Sequence, residues 1–228
     1  RDQPRSRGLG DVYKRQSQNL LDAFEYSNGT VFDPSKLKNT DNPYEERDPR
    51  LNMIIAINGS TLGKNIDGSA RQVQSYMGGA DGIGVKYGAT TTGYYLRKLL
   101  VENFDLSKSE SRAKSWVLMR YAEVLLNYAE AVNESIGPDA KVIGTTNLTL
   151  SAREAINLVR DRVGMPPIQS GLDKENMRIN IQRERQVEMA FEDQRFFDVR
   201  RWKIANVTEN KPLMGILIST NGGVTTYE

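Results

Sequence analysis

The sequence predicts a mostly α-helical protein with long loops and a few short strands. Three segments in the middle and rear of the chain carry apolar residues at the three- and four-residue spacing of a helix. The front half is instead rich in glycine and in turn-forming dipeptides such as Asn28-Gly29 and Asp33-Pro34. No run of about eighteen apolar residues, the length needed to cross a bilayer, occurs in the sequence.

The opening segment, residues 1–16, is expected to be a non-native tail. It holds five basic and two acidic residues and shows no apolar periodicity, as translated adapter or vector sequence would. Removing it from the totals of 31 basic and 29 acidic residues leaves 26 and 27. The chain therefore has no basic domain suited to nucleic acid. We predict a folded region over 17–228 that is loop-rich over 17–114, helical over 115–203 and loop again over 204–228.

Two stretches of the loop-rich region suggest regular structure. Residues 51–58, LNMIIAIN, form an apolar run typical of a strand, and the dipeptide Asn58-Gly59 ends it. Residues 93–104, GYYLRKLLVENF, fit either a strand or a short helix. The polar, glycine-rich sequence between these two stretches is expected to be a surface loop.

The first predicted helix covers residues 116–134, and its pattern favours a helix that lies mostly inside the protein. One face carries five residues at helical spacing: Val117, Tyr121, Val124, Tyr128 and Ala131. Leucines and alanines between them leave few positions for water. We therefore expect this helix to be largely buried.

Capping residues mark the next two helices. Ser151 and Glu154 form a capping box at the start of the second helix, 151–163. Gly164 and the prolines after it end that helix. Asp173 is expected to cap the third helix, which continues to about Trp202. The first two helices should pack as an antiparallel hairpin with the third lying across them.

The chain contains neither cysteine nor histidine. This composition excludes disulfides, thiolate zinc sites, cysteine nucleophiles, histidine bases and Ser-His-Asp triads. Chemistry in this protein would have to use carboxylates, lysine, arginine, tyrosine or hydroxyl groups. No metal or cofactor is predicted.

An acidic row in the third helix is the most unusual charge pattern. Glu184, Glu188 and Glu192 follow one another at a spacing of four, where like charges repel. A glycosidase would need a second carboxylate facing them across a sugar, and a bundle metal site would normally add histidine. Planar guanidinium groups nearby can instead bind the carboxylates in pairs. We predict a structural charge network of Glu184, Arg185, Glu188, Glu192, Arg195, Asp198 and Arg201.

Helical spacing also suggests which pairs form within this network. Arg185 lies three positions before Glu188, Arg195 three after Glu192, and Arg201 three after Asp198. Three further arginines on the other predicted helices could join the network: Arg120, Arg160 and Arg162.

Three ordered motifs resemble the C-terminal signature of the SusD/RagB family. They are RYAEVLLNYAEAVNE, AINLVRDRVGMP and RERQVEMAFEDQRFFDVRRW, and NPYEERDPRL and TGYYLRK upstream are similar to segments that the family places before them. Members are typically about twice as long, so the resemblance implies a SusD-like C-terminal portion that lacks the lipid-bearing cysteine. It also implies a scaffold of tetratricopeptide-like helix pairs, of which 116–134 and 151–163 could form one.

The resemblance also implies a function. Such proteins are outward-facing lipoproteins of the Bacteroidetes outer membrane that capture oligosaccharides or polysaccharides and pass them to a SusC-like TonB-dependent transporter. They bind without catalysing a reaction. Two rivals remain open: a tetratricopeptide-like protein–protein scaffold without a sugar site, and a carboxylate glycosidase.

Loop aromatic residues are the natural candidates for contact with a glycan, because sugar C–H faces stack on rings while hydroxyls need hydrogen bonds. No family motif assigns them. From residue type and loop position we predict Tyr44, Tyr76 and Tyr87 as stacking faces and Arg97 as a hydrogen-bond donor. The sequence does not name the ligand.

Overall fold

The structure is a computed structural model that describes residues 17–65, 67–85, 89–100, 117–141 and 149–228. The predicted tail at 1–16 and the candidate Tyr87 lie outside these residues. Within them the protein is helical with short strands, as predicted. The helices are α1 Gln18–Leu21, α2 Arg50–Ile54, α3 Tyr121–Ile136, α4 Ala152–Asp161, α5 Lys174–Glu188, α6 Arg195–Arg201 and α7 Ala205–Thr208, and a 3₁₀ turn spans Pro34–Lys36.

The strands pair as three antiparallel two-stranded sheets in the described parts of the chain. They are β1 Ile55–Ala56, β2 Thr61–Lys64, β3 Ala70–Gln72, β4 Tyr95–Leu96, β5 Ile218–Asn221 and β6 Val224–Tyr227. β1 pairs with β4, β2 with β3 and β5 with β6. The apolar run at 51–58 is therefore only partly a strand, because its first half forms α2. The stretch 93–104, which fitted either a strand or a short helix, contains a strand at residues 95–96.

The predicted caps of α4 and α5 are confirmed. The Ser151 hydroxyl accepts from the Glu154 backbone N–H, and the Glu154 carboxylate accepts from the Ser151 N–H at 2.7 Å. Asp173 accepts from the Asn176 N–H at 2.7 Å and so caps α5. Both devices satisfy backbone donors that the first helical turn leaves unpaired.

The prediction of one long helix to Trp202 is wrong, because the chain leaves the helix after Glu188. Phe191 and Asp193 have φ angles of 63° and 62°, which a right-handed helix does not allow. Lys98 Nζ donates to the carbonyl oxygens of Glu188 and Ala190, each at 3.0 Å. These carbonyls would accept from residues 192 and 194 in a continuing helix, so the lysine takes over their role and helps to end α5.

The burial predicted for the first helix is wrong on one side. α3 buries Leu125, Leu126, Ala129 and Val132 in a core shared with α4 and α5. The apolar stripe that the sequence pattern singled out lies beside this buried face, and Tyr128 packs against the same core. We call this stripe the outer face of α3; its members in the helix are Tyr121, Val124, Tyr128 and Ala131, and Val117 precedes the helix. All of these except the half-buried Tyr128 are exposed.

A second apolar core joins the loop-rich front to the helices. It combines Phe24, Leu51 and Tyr94 from the front with Val187 of α5 and Ile218 of β5. None of the helices in the described ranges is both long and apolar enough to cross a membrane.

Candidate functional site

A buried cluster of charges lies where the front of the chain meets α5. Arg50 Nη1 donates to Glu184 at 2.5 Å and to Glu188 at 2.9 Å, while Arg50 Nη2 donates to Asp48 at 2.6 Å. These four side chains are at most 4% exposed. Burial alone would lower the pKa of Arg50, but the charges of Glu184 and Asp48 outweigh it and raise that pKa above its ordinary value. The guanidinium is therefore held charged inside the protein.

Arg160 extends this cluster toward α1. It donates to Glu184 Oε2 at 2.9 Å and to Glu25 Oε2 at 2.8 Å, and its Nε donates to the Pro166 carbonyl at 2.7 Å. Arg183 reaches the other oxygen of Glu25 at 3.1 Å. Each carboxylate thus has two cationic partners, which offsets the cost of its burial.

The other end of the cluster is closer to solvent. Arg120 donates to Glu188 Oε1 at 2.5 Å and to Glu192 Oε2 at 2.8 Å, and Lys98 donates to Glu192 Oε1 at 2.5 Å. Burial would raise the pKa of both glutamates. The hydrogen bonds from Arg120, with Arg50 on Glu188 and Lys98 on Glu192, outweigh it and hold both pKa values below the ordinary range. For Lys98 burial prevails and lowers its pKa.

In two of the predicted ion pairs, the arginine binds a different carboxylate from the one predicted. Arg185 bonds Asp198 of α6 at 2.7 Å rather than Glu188, because its side chain projects toward α6 and also donates to Asn127 at 2.6 Å. Arg195 pairs with Glu209 at 3.3 Å rather than Glu192, since the turn between α5 and α6 breaks the helical spacing. The third predicted pair, Arg201 with Asp198, is present at 2.9 Å.

A pocket of about 370 Å³ opens beside the solvent-facing end of this cluster. Its polar wall includes Arg120, Arg162 and Glu192, and Met53 and Phe191 contribute to its apolar wall. The Arg162 side chain is 56% exposed and donates to Glu188 Oε1 at 2.7 Å. The pocket thus combines the exposed guanidinium of Arg162 with apolar surface, a pairing able to hold a polar ligand.

The predicted ligand residues occupy different surroundings. Tyr44 packs edge-on against Tyr94 and Tyr227, with ring centroids 6.3 and 5.9 Å away, and is half-buried. Tyr76 is 36% exposed in a turn whose next residue, Met77, donates its backbone N–H to Ile218 of β5. Tyr44 and the Tyr76 turn thus both contact the β5–β6 hairpin.

Arg97 lies next to α2. Its Nη1 donates to the Asn52 carbonyl at 3.0 Å, and its backbone N–H donates to the Ile54 carbonyl. These hydrogen bonds tie Arg97 to α2, whereas Tyr44 and the Tyr76 turn contact the β5–β6 hairpin.

Sequence reasoning missed the cations that the front of the chain supplies. Arg50 and Lys98 come from the loop-rich half, and neither was predicted to meet the acidic row. A signal was present in the sequence DPRL, where an acid and an arginine two positions apart stand directly before an apolar run. A charged residue beside a buried segment generally needs a buried partner.

Comparison with known proteins identifies relatives of the chain. The SusD family model matches residues 3–225. SusD-like protein P2 of Formosa agariphila is 36% identical over 92 residues, which are 40% of this chain and 18% of the relative.

Solved structures share the fold. A SusD-like protein from Bacteroides fragilis matches with a TM-score of 0.75 and 32% identity, over 93% of this chain and 40% of its own. A SusD-like carbohydrate binding protein from the same species matches with a TM-score of 0.64 and 28% identity, over 87% of this chain and 37% of its own. A SusD superfamily protein from Bacteroides vulgatus matches with a TM-score of 0.55 and 21% identity, over 88% of this chain and 36% of its own. The chain thus spans about two fifths of the length of these solved relatives, and its match to the family model shows that it belongs to the SusD family.

Proposed function

We propose that this chain is part of a glycan- or nutrient-binding protein of an outer-membrane uptake system. The full-length protein would be lipid-anchored and outward-facing, and it would capture its ligand and pass it to a SusC-like TonB-dependent transporter. One observation carries the proposal: the chain shares its fold over 87% of its length with a solved SusD-like carbohydrate binding protein at 28% identity.

The charges of the buried cluster favour binding over hydrolysis. A glycosidase needs one carboxyl group whose pKa is raised, so that it can donate a proton to the leaving sugar. Glu188 and Glu192 have the opposite property, because Arg50, Arg120 and Lys98 lower their pKa values. Deprotonated carboxylates already engaged by cations are poor general acids, so these glutamates hold the structure together rather than cleave a substrate.

We further propose that ligand contact involves the loop surface that carries Tyr76, with Arg97 and Tyr87 as further candidates. Tyr76 has an exposed ring, which stacking on a sugar requires. Tyr44 would support the same surface by packing, because its ring contacts the rings of Tyr94 and Tyr227.

Affinity gel electrophoresis of the full-length gene product tests this function. The protein is run through gels that contain one polysaccharide each, at fixed salt, and the polysaccharide is assayed afterwards for hydrolysis. Retardation in one class of polysaccharide without release of sugar supports the proposal. Hydrolysis that is lost in Glu188→Gln would establish the glycosidase instead, and no retardation on any glycan would favour the tetratricopeptide-like scaffold.

Variants at Tyr76 then test the site on a retarding polysaccharide. Tyr76→Ala should lose most of the retardation, whereas Tyr76→Phe, which keeps the ring and loses only the hydroxyl, should retain it. Equal retardation of Tyr76→Ala and the unchanged protein would remove Tyr76 from the site while leaving the binding function intact.

A further inference from the structure

The pocket beside the charged cluster is lined by more cations than acids. Its charged residues are Arg50, Lys98, Arg120, Arg162, Glu188 and Glu192. Through further ion pairs the same cluster includes Arg160, Arg183, Glu25, Asp48 and Glu184. With all of these groups ionised, six cations face five acids in the part of the chain that the structure describes, which leaves one positive charge uncompensated.

Arg162 is where this surplus charge meets solvent. Its side chain is 56% exposed, and its Nη2 donates to Glu188 Oε1 at 2.7 Å. Glu188 also accepts from Arg50 and Arg120, so Arg162 has only a share of that carboxylate. Among the described residues, the Nε and Nη1 groups of Arg162 have no hydrogen-bond partner. Arg162 therefore keeps donors for an anion, and guanidinium groups bind carboxylates well.

The rest of the pocket wall is apolar. Met53 is 60% exposed and Val117 is 56% exposed, although both line the same cavity. Val163 and the half-buried Phe191 complete this side. Removing such surface from water stabilises a complex in proportion to the apolar area covered. A ligand that fits this pocket therefore needs an apolar body as well as a polar group.

The backbone at Phe191 supports a binding role for this wall. Its φ angle of 63° lies in the left-handed region, which is unfavourable for a bulky side chain. The turn places the Phe191 ring against the second apolar core and in the pocket wall. Unfavourable backbone conformations of this kind concentrate at binding and active sites.

The two sides of the pocket together define one class of ligand. An inorganic anion would leave the apolar wall in contact with water, and a neutral apolar molecule would leave the surplus charge unpaired. We propose that the pocket binds a small organic carboxylate with an apolar body, held by Arg162 at the carboxylate and by Met53 and Phe191 at the body. Its volume of about 370 Å³ suits a small molecule rather than a polysaccharide. The site shares no residue with the Tyr76 surface and does not depend on the proposed glycan function.

A matched pair of probes tests the charge requirement. 3-Phenylpropanoate and its neutral amide, 3-phenylpropanamide, share the apolar body and differ in the charged group. The full-length gene product is titrated with each by isothermal titration calorimetry at low salt. The acid should bind at least about tenfold more tightly than the amide, because charge-assisted hydrogen bonds are the stronger ones. No binding of the acid, or equal binding of acid and amide, overturns the proposal.

Two exposed positions locate the binding in the pocket. Arg162→Gln should weaken binding of the acid at least about tenfold, to near that of the amide. Arg201→Gln is the control and should bind normally, since Arg201 is also exposed and ion-paired, with Asp198, but does not line the pocket. Unchanged affinity in Arg162→Gln would assign the ligand to another surface and so contradict the proposal.

A second variant lies outside the ion pairs, so that its effect does not involve the charged cluster. Met53→Glu places a negative charge in the apolar wall and should weaken the acid by a similar factor. Met214→Glu, at a methionine of matched exposure (55% against 60%) that does not line the pocket, should not. Thermal melts of all four variants show that the protein remains folded. Equal affinities of Met53→Glu and Met214→Glu would also overturn the proposal.

Discussion

At the scale of single residues, Glu188 connects three separate parts of the chain. It accepts hydrogen bonds from Arg50 in α2, Arg120 before α3 and Arg162 after α4. Its side chain is only 3% exposed. Removing such a carboxylate leaves buried guanidinium groups without part of their countercharge, which is far more costly than losing a surface ion pair.

We therefore expect Glu188→Ala to lower the free energy of unfolding by about 3–5 kcal/mol. Glu175→Ala serves as the control, since Glu175 pairs with Arg178 at the surface and should change stability by no more than about 1 kcal/mol. Urea unfolding of the three proteins measures the difference. A loss for Glu188→Ala as small as that of the control would show that the network does not stabilise the fold.

The lowered pKa values of Glu188 and Glu192 also predict a dependence on pH. Their contribution to stability is complete above the ordinary glutamate pKa of 4.5 and is lost as pH falls through the lower pKa of the folded state. Unfolding free energy should therefore decrease on acidification below that value. In Glu188→Gln the decrease should be smaller, because one of the two carboxylates no longer titrates. An unchanged acid slope in this variant would contradict the assignment.

Replacing each of the two tyrosines near the β5–β6 hairpin should lower the stability of the protein by a different amount. Tyr44→Ala removes a ring packed between Tyr94 and Tyr227 and should cost about 3 kcal/mol. Tyr76→Ala removes an exposed ring and should cost less than about 0.5 kcal/mol. Thermal melts distinguish the two outcomes, and equal losses would show that the Tyr76 ring is also structural.

At the scale of elements, the end of α5 shows what local sequence can and cannot predict. The caps of α4 and α5 were predictable because Ser151, Glu154 and Asp173 act within three positions of the groups they bond. The end of α5 was not, because Lys98, which binds the final carbonyls, lies 90 and 92 positions away. The predicted pair of Arg195 with Glu192 was wrong for the same reason, because it assumed that the helix continued past Glu188.

Replacing this lysine should loosen the connection between α5 and α6. Lys98→Met keeps the aliphatic stem but removes the donor to the Glu188 and Ala190 carbonyls, and should cost about 1–3 kcal/mol. Backbone amides of residues 189–194 should exchange with deuterium faster in this variant. Lys36→Met, at an exposed ion pair with Asp33, is the control and should behave as the unchanged protein. Unaltered exchange at 189–194 in Lys98→Met would assign the end of α5 to another cause.

At the scale of the whole molecule, the charged cluster joins the loop-rich front to the helical rear. Hydrophobic periodicity predicted the helical class and the order of the main elements, since that signal lies within each segment. It did not predict that Tyr121, Val124 and Ala131 are exposed, because their spacing is the same as that of residues on a buried helix face. Nor did it predict Arg50 as the central cation, whose partners are distant in sequence.

The distance along the chain between these partners has a consequence for biosynthesis. Arg50 and Glu184 are 134 positions apart, and Glu25 and Arg160 are 135 apart. A ribosome needs roughly 10 s to add that many residues, so Arg50 and Glu25 emerge long before their partners. Until α5 is made, Arg50 has Asp48 but lacks Glu184 and Glu188, and the front of the chain lacks Val187 to complete its apolar core. The loop-rich half should therefore remain accessible to proteases and chaperones during translation and fold only after α5 has been synthesised.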